Sequence, residues 1–534
     1  MSLMQYNQAA GLSALLKDGT RHEDSSGSAS VLLQSIDASL QLTHMLATSL
    51  GPQGRSKLVV NHLEKRIVTS DAAAILKEIQ LQHPAAQILA TAATQQATEV
   101  GDGSNLVLAL AGAVLEETAG LVHKMSTWQP ELLVGYQNAL QLMEDYIQNE
   151  LVAETVSGLT VDSLTRLLKP VVASKQYGSE DMLAPLVSQA CCWLLEQTKS
   201  IDADSIRTCK IPGGRGACTL VRGFVAPRPI ESIVTAAPSN AKIAVFASGI
   251  EASSTEASGK VVLKDADALL QYNLTEQAKM KEIIESIYES GVRVVVTGGN
   301  VSDMAWHFLN ECGMVVVRLG SKFELRRLCR AVGATALVRL GAPTPDEMGV
   351  GSVEQRALGD KTITVIESPE SSMATLVLRA STPAVLEDLE RAVDASVQTA
   401  MQLLKDGRLV HGGGCVEMAL SMHLLKQTAP GLQTYAYQAL AQALQVVPRT
   451  LAENAGYNAT QVVADLKAAH SSGKSDLGVD IEGESSNGLT SMKDVLDVLS
   501  TKLSAYRLAI DAATTIMKID QIIMAKQAGG GGGP

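Results

Sequence analysis

The sequence predicts a multi-domain chain in which an α/β segment is inserted into a largely helical one. Three observations carry that expectation. A length of 534 residues exceeds what one hydrophobic core organises, so roughly two to four domains are expected. The hydrophobic period changes from helical at both ends to strand-and-helix in the middle. And two glycine-rich turns that open helices, GDGSN at 101–105 and GGGCVE at 412–417, lie on opposite sides of that middle.

From 29 to 150 the pattern is of long amphipathic helices. ASVLLQSIDASLQLTHMLATSL at 29–50 and SNLVLALAGAVLEETAGLVHKM at 104–125 space their apolar residues as one helix face requires. Between them, 57–60 and 66–69 read as a short pair of strands. From 210 to 365 the texture differs: IAVFAS (243–248), VRVVVTGG (292–299), GMVVVRL (313–319) and ATALVRL (334–340) alternate with helical EQAKMKEIIESIYESG and KFELRRLCRAVG. Such alternation predicts parallel strands in an α/β layer. Helical texture returns over 381–465 and 489–518, so 1–150 and 400–534 are expected to fold together.

Composition narrows the function. With 46% hydrophobic, 19% charged and 3% aromatic residues, the chain is globular, with cores of Leu, Val, Ile, Ala and Met. A net charge of −12 argues against nucleic acid or an anionic membrane as partner. Seven cysteines without a CxxC spacing, including the adjacent Cys191 and Cys192 in an apolar helical run, predict buried free thiols and neither zinc nor disulfides. The opening residues lack a basic n-region and an apolar h-region, and no run reaches 18 uninterrupted apolar residues, so a cytosolic protein is expected.

The motifs suggest a nucleotide site. GDGSN sets Asp102 between two glycines at a helix start, suiting magnesium held against phosphates by a hard oxygen ligand beside the helix N-terminus. Each motif also has a plain structural reading. LGPQG at 50–54 reads equally as a helix C-cap and turn, and Asp71 as an ordinary helix cap. The loop after Arg408-Leu409-Val410 could need only one of its three glycines. Asp394 falls where a core-facing residue is expected, and a buried carboxylate calls for either solvation or a functional reason. The runs Thr297-Gly298-Gly299 and Gly213-Gly214-Arg215-Gly216 make neither GxGxxG nor a P-loop, and the nine histidines form no catalytic or metal constellation.

Taken in order, LGPQG, SDAAAIL (70–76), GDGSN, VHGGGCVE (410–417), RTLAENAG (449–456) and MKIDQIIMAK (517–526) resemble the signature series of the group II chaperonins, from about residue 30 to 527. NHLEKRIVTSDAAAIL, LQHPAA, SKQYG, TGGNVSDMA, RRLCRAVGATAL and IIMAKQAGG further resemble one subunit type of the eukaryotic cytosolic chaperonin. The resemblance implies a mostly helical equatorial ATPase domain built from both chain ends (1–150 and 404–534), a hinge-like intermediate domain (151–212 and 366–403), and an inserted α/β apical domain (213–365). The apical domain would bind substrate and carry a helical protrusion near 249–281, and the glycine-rich tail 528–534 would be flexible.

It also implies ATP/ADP and Mg2+ as cofactors, with Asp102 holding the metal. Leu50, Gly51, Gly103, Ser104, Asn105, Leu106, Gly412 and Gly413 would line the nucleotide, and Asp497 would bond the ribose. Asp394 would orient the attacking water or take its proton, with Asp71 the second catalytic carboxylate. Ala173, Ser174 and Lys175 would form the intermediate-domain segment whose lysine meets the γ-phosphate. Expected partners are paralogous subunits in two stacked eight-membered rings and non-native clients, which for the family include actin and tubulin; no nucleic acid or membrane is implied. The alternatives are a structural ring subunit with a silent ATPase and a metabolic kinase. Departures from the family pattern are GDGSN for GDGTT, SDAAA for NDGAT, HGGG for PGGG, and Pro170-Val171 for Thr-Ser.

Overall fold

In a computed structural model, residues 21–22, 28–61, 64–125, 130–156, 158–214, 218–251, 266–359, 361–483, 485 and 487–524 are described. The chain forms two compact units, one of Met1–Ser157 with Gln402–Pro534 and one of Gly158–Met401.

The first unit is helical. Helix Ser104–Met125 lies at its centre because Val107, Leu108, Leu110, Ala111, Val114 and Leu115 leave no polar stripe through the middle of the segment. By length and composition this helix could cross a membrane, but most of it is packed inside the unit. Helices Ser28–Ala47, Pro84–Glu99, Glu131–Glu150, Gln433–Leu444 and Leu499–Met517 contribute to the same core, with Tyr136 and Tyr506 among its fully buried side chains. Small antiparallel sheets sit at its margin. Arg408–His411 pairs on one side with Leu496–Val498, matching Val410 to Asp497, and on the other with Glu154–Thr155. The expected strands Lys57–Val60 and Arg66–Thr69 form a hairpin. The stretch 489–498, expected to be helical, instead contains the strands Leu489–Ser491 and Leu496–Val498, each claimed by a partner strand before helix Leu499–Met517 begins.

The second unit carries a sheet in which Val315–Arg318, Val292–Thr297, Ala236–Phe246 and Ala336–Leu337 run parallel, as expected of their β-branched runs. Val294, Val295 and Val296 are fully buried, which fits strands covered on both faces. Helices Ala266–Glu289 and Asp303–Glu311 contribute Met280, Ile284, Ile287, Ala305 and Leu309 to one core, and helix Lys322–Val332 contributes Leu325, Leu328, Ala331 and Val332 to another. The parallel expectation fails for the rest of the sheet. Gly349–Leu358, Lys361–Glu367 and Gly223–Ala226 are antiparallel, the first two forming a hairpin turned at Gly359, whose φ of +70° favours glycine. A three-stranded sheet of Ile206–Pro212, Ala374–Ala380 and Thr219–Val221 precedes helix Pro383–Lys405.

All seven cysteines are free, as expected, but only Cys191, Cys209 and Cys415 are fully buried; Cys192, Cys218, Cys312 and Cys329 keep some solvent contact. Burial pushes the Cys191 thiol up to about 12. Of the expected protrusion, 252–265 lies outside the described residues, as do Arg215-Gly216 and the tail 528–534.

Candidate functional site

Three turns from separate parts of the first unit lie side by side, at 49–51, 70–72 and 101–105. Leu50 follows helix Ser28–Ala47, and its carbonyl accepts from Asn454 Nδ2 at 2.8 Å. Gly51 has a φ of +81°, and a Cβ there would sit 2.5 Å from Leu451 Cδ2. The stretch RTLAENAG therefore supplies both the hydrogen bond and the close packing that hold this turn. Asp71 caps helix Ala72–Glu78, its Oδ2 accepting from the Ala74 N–H at 3.3 Å, while its Oδ1 is 3.5 Å from the Ser104 hydroxyl.

In GDGSN, Gly101 and Gly103 both take left-handed backbone, with φ of +92° and +86°. Gln96 Nε2 donates to the Asp102 carbonyl at 2.9 Å and to the Thr501 carbonyl at 3.2 Å, joining this turn to the start of helix Leu499–Met517. Val107 N–H donates to the Gly103 carbonyl at 3.1 Å, so the amides pointing off the helix end are those of Ser104, Asn105 and Leu106. Ser104 is buried, while Asp102, Asn105 and Leu106 are half-buried. The Asn105 side chain bonds the backbone of both other turns: Nδ2 donates to the Ser49 and Ser70 carbonyls at 2.9 and 3.3 Å, and Oδ1 accepts from the Ala72 N–H at 3.0 Å.

The second glycine turn needs all three of its glycines, against the expectation that one might suffice. A Cβ on Gly412 would lie 2.9 Å from Val495 Cγ1 and 3.3 Å from Asp497 Oδ2. Gly413 and Gly414 have φ of +62° and +83°, and Cβ atoms there would meet Met492 Sδ at 2.7 Å and Pro448 Cβ at 2.9 Å. The Gly413 carbonyl accepts from Val479 N–H at 2.9 Å, which joins the turn to the hairpin of Leu477–Val479 and Leu489–Ser491.

Beneath Asp497 lies a charged cluster that the motifs did not reveal. Lys502 Nζ bonds Glu417 Oε1 at 2.7 Å and Asp497 Oδ2 at 3.1 Å, and Tyr506 OH donates to Glu417 Oε1 at 2.7 Å. Burial opposes charge on Glu417, but Lys502 and Tyr506 outweigh it and hold the carboxyl below its usual range. Burial likewise opposes the Lys502 ammonium, and Glu417 and Asp497 together raise its pKa. Asp497 keeps a third of its side chain open, yet desolvation on its inner side raises its pKa despite Lys502, with the charges of Glu417 and Asp102 adding to the rise. The available signal was the charge itself: Glu417 and Lys502 interrupt the otherwise weakly polar runs CVEMALSM and LSTKLSAY.

In the other unit, Ala173, Ser174 and Lys175 form the end of helix Val161–Lys175, all half-buried, with the Ser174 hydroxyl donating to the Val171 carbonyl at 2.8 Å. Asp394 stands on helix Pro383–Lys405, not facing its core as expected but on its open side, while Val393 and Val397 are buried. One turn earlier, Glu390 accepts from Thr208 Oγ1 at 2.8 Å and Lys210 Nζ at 2.7 Å. The Asp394 carboxyl is crowded by protein while remaining accessible to water. That crowding, aided by Glu390 and opposed by Arg207 and Lys210, raises its pKa to about 6.

Among the described residues no group of three or more His, Cys, Asp or Glu could hold a metal alone. Magnesium fits Asp102 in another way, because it is commonly held by one or two carboxylates together with phosphate oxygens and water. The chain matches the model of the TCP-1/cpn60 chaperonin family over residues 42–527. It belongs to that family. It is 38% identical over 527 residues to T-complex protein 1 subunit theta of Dictyostelium discoideum, with 97% of each chain covered. It is 40% identical over 534 residues to the protein of that name from Homo sapiens (98% of this chain, 96% of the other) and 38% identical over 542 residues to that of Arabidopsis thaliana (99% and 96%). This chaperonin chain is thus similar to theta subunits over nearly its whole length. Its function is that of a chaperonin subunit in protein folding, and nucleotide binding comes with the family.

Proposed function

We propose that this chain binds ATP with magnesium and hydrolyses it, using the nucleotide to bias a hinged subunit between open and closed states that enclose a non-native protein. The observation that carries this reading is the GDGSN turn, where Asp102 precedes three helix-end amides and the Ser104 hydroxyl meets the Asp71 cap. Such an N-terminus favours phosphate through its free N–H groups and its dipole. Asp102 would hold magnesium, which when bound neutralises phosphate charge. Leu50, Gly51, Gly103, Ser104 and Leu106 would border the phosphates, and Gly412, Gly413 and Asp497 the nucleoside. Asp394 is proposed to orient the attacking water, Asp71 to assist it, and the Ala173–Ser174–Lys175 segment to sense the γ-phosphate through its lysine.

The domain reading is likewise proposed: equatorial 1–150 and 404–534, intermediate 151–212 and 366–403, apical 213–365. So are assembly with paralogous subunits into two eight-membered rings, a cytosolic location, and clients that include actin and tubulin. The test is ATP turnover by assembled particles carrying Asp394→Ala in this subunit alone. A fall in turnover with nucleotide still bound supports hydrolysis here, and unchanged turnover would leave a structural ring subunit.

A further inference from the structure

Asn105 spends its side chain on the protein. An asparagine amide offers two N–H donors and one carbonyl oxygen. Both donors are taken by the carbonyls of Ser49 and Ser70, and the oxygen takes the Ala72 N–H. These contacts are not scattered. Ser70 C=O and Ala72 N–H belong to the residues on either side of Asp71, so one side chain grips the backbone before and after that carboxylate. Ser49 C=O immediately precedes Leu50 and Gly51. Asp71 then turns its Oδ1 toward Ser104, the neighbour of Asn105 on the same helix.

We infer that Asn105 is a positioning residue rather than a nucleotide ligand: its side chain clamps the Asp71 and Leu50-Gly51 turns onto the GDGSN helix and sets where the Asp71 carboxylate stands. The inference deepens the ATPase reading above and rests on it. No other uncharged side chain of similar size makes the same three contacts. Threonine lacks the second donor and the reach, and aspartate would set a carboxylate against two carbonyl oxygens.

The experiment uses assembled particles in which the water-orienting carboxylate is replaced in every other subunit, so that turnover reports this one. Asn105→Ala and Asn105→Thr are compared with the unsubstituted chain by steady-state kinetics with Mg-ATP and by hydrogen exchange of peptides covering 48–54 and 70–76. Misplacement by about an ångström commonly costs up to about 100-fold in rate. The expected result is a fall in kcat of about 10-fold or more, KM within about 3-fold, and faster exchange of the Ala72 amide without nucleotide. A rise in KM with kcat and exchange unchanged would make Asn105 a direct ligand and overturn the inference. Faster exchange with unchanged kcat would reduce it to a purely structural residue, which also overturns it. If the unsubstituted control hydrolyses nothing, the ATPase reading fails first, an outcome distinguishable from the other two because it precedes any substitution.

Discussion

Lys502 and Glu417 form a buried ion pair at 2.7 Å, both side chains less than a tenth exposed, and Glu417 Oε2 has no hydrogen-bond partner. Removing one partner of such a pair strands the other charge, which typically costs about 3–5 kcal/mol, while replacing both with apolar groups of similar volume is often neutral. Lys502→Met should therefore destabilise the chain by about that amount. Lys502→Met with Glu417→Leu should recover part of it, since Asp497, a third exposed, still loses its cation and the buried Tyr506 hydroxyl its acceptor. Denaturant unfolding of the two variants checks this, and equal losses in both would mean the pair is not what holds the region.

Asp102→Ala should abolish magnesium-dependent nucleotide binding by this subunit, because the GDGSN turn holds no other carboxylate. Its glycines and helix-end amides remain, so weak metal-independent binding should persist. Nucleotide titrations with magnesium and with a chelator read the difference. Affinity that still responds to magnesium in the variant would move the metal elsewhere.

Asp394 is raised from 3.8 to about 6, mainly by desolvation and then by Glu390. A water-orienting carboxylate acts when ionised, so hydrolysis should rise with pH through about 6. Glu390→Gln should move that limb to lower pH. Stability follows the opposite sense: a carboxyl that holds its proton more tightly when folded stabilises the fold below its ordinary range, and that contribution is lost as pH rises through about 6. A pH–rate profile of this subunit with no acid limb between 5 and 7 would contradict the assignment.

Lys175→Ala should leave ADP affinity nearly unchanged and weaken any ATP-driven closure. A charged contact made in only one state is what lets a ligand shift a population, since equal affinity for both states shifts nothing. Protease protection of 249–281 with an ATP-hydrolysis mimic gives the measurement. Full protection in the variant would exclude Lys175 as the sensor.

Most of the helical and strand periodicity was legible because burial writes it directly: Leu108, Val114 and Leu115 recur at helical spacing, and the run at 294–296 is entirely valine. The short strands Leu489–Ser491 and Leu496–Val498 were not, since each is decided by a distant partner rather than by its own residues. The antiparallel hairpin of Gly349–Leu358 and Lys361–Glu367 was not legible either, because its direction is decided at the short turn carrying Gly359 and not by the residues of its strands. In the site, glycines and Asp102 stood out in the sequence. The partners of Asn105 and the Glu417 partner of Lys502 did not, because they are backbone groups of other turns and a side chain 85 residues away.

Gln96 holds the Asp102 and Thr501 carbonyls together although some 400 residues separate them. During synthesis the N-terminal half is made first, so the GDGSN turn leaves the ribosome long before helix Leu499–Met517 can brace it. A nascent chain therefore carries this turn without its brace until that helix emerges, and chains terminated before Thr501 never acquire the brace. A ligand held at this turn would stabilise the finished subunit but could not guide its synthesis, which leaves early folding of this unit to its N-terminal helices.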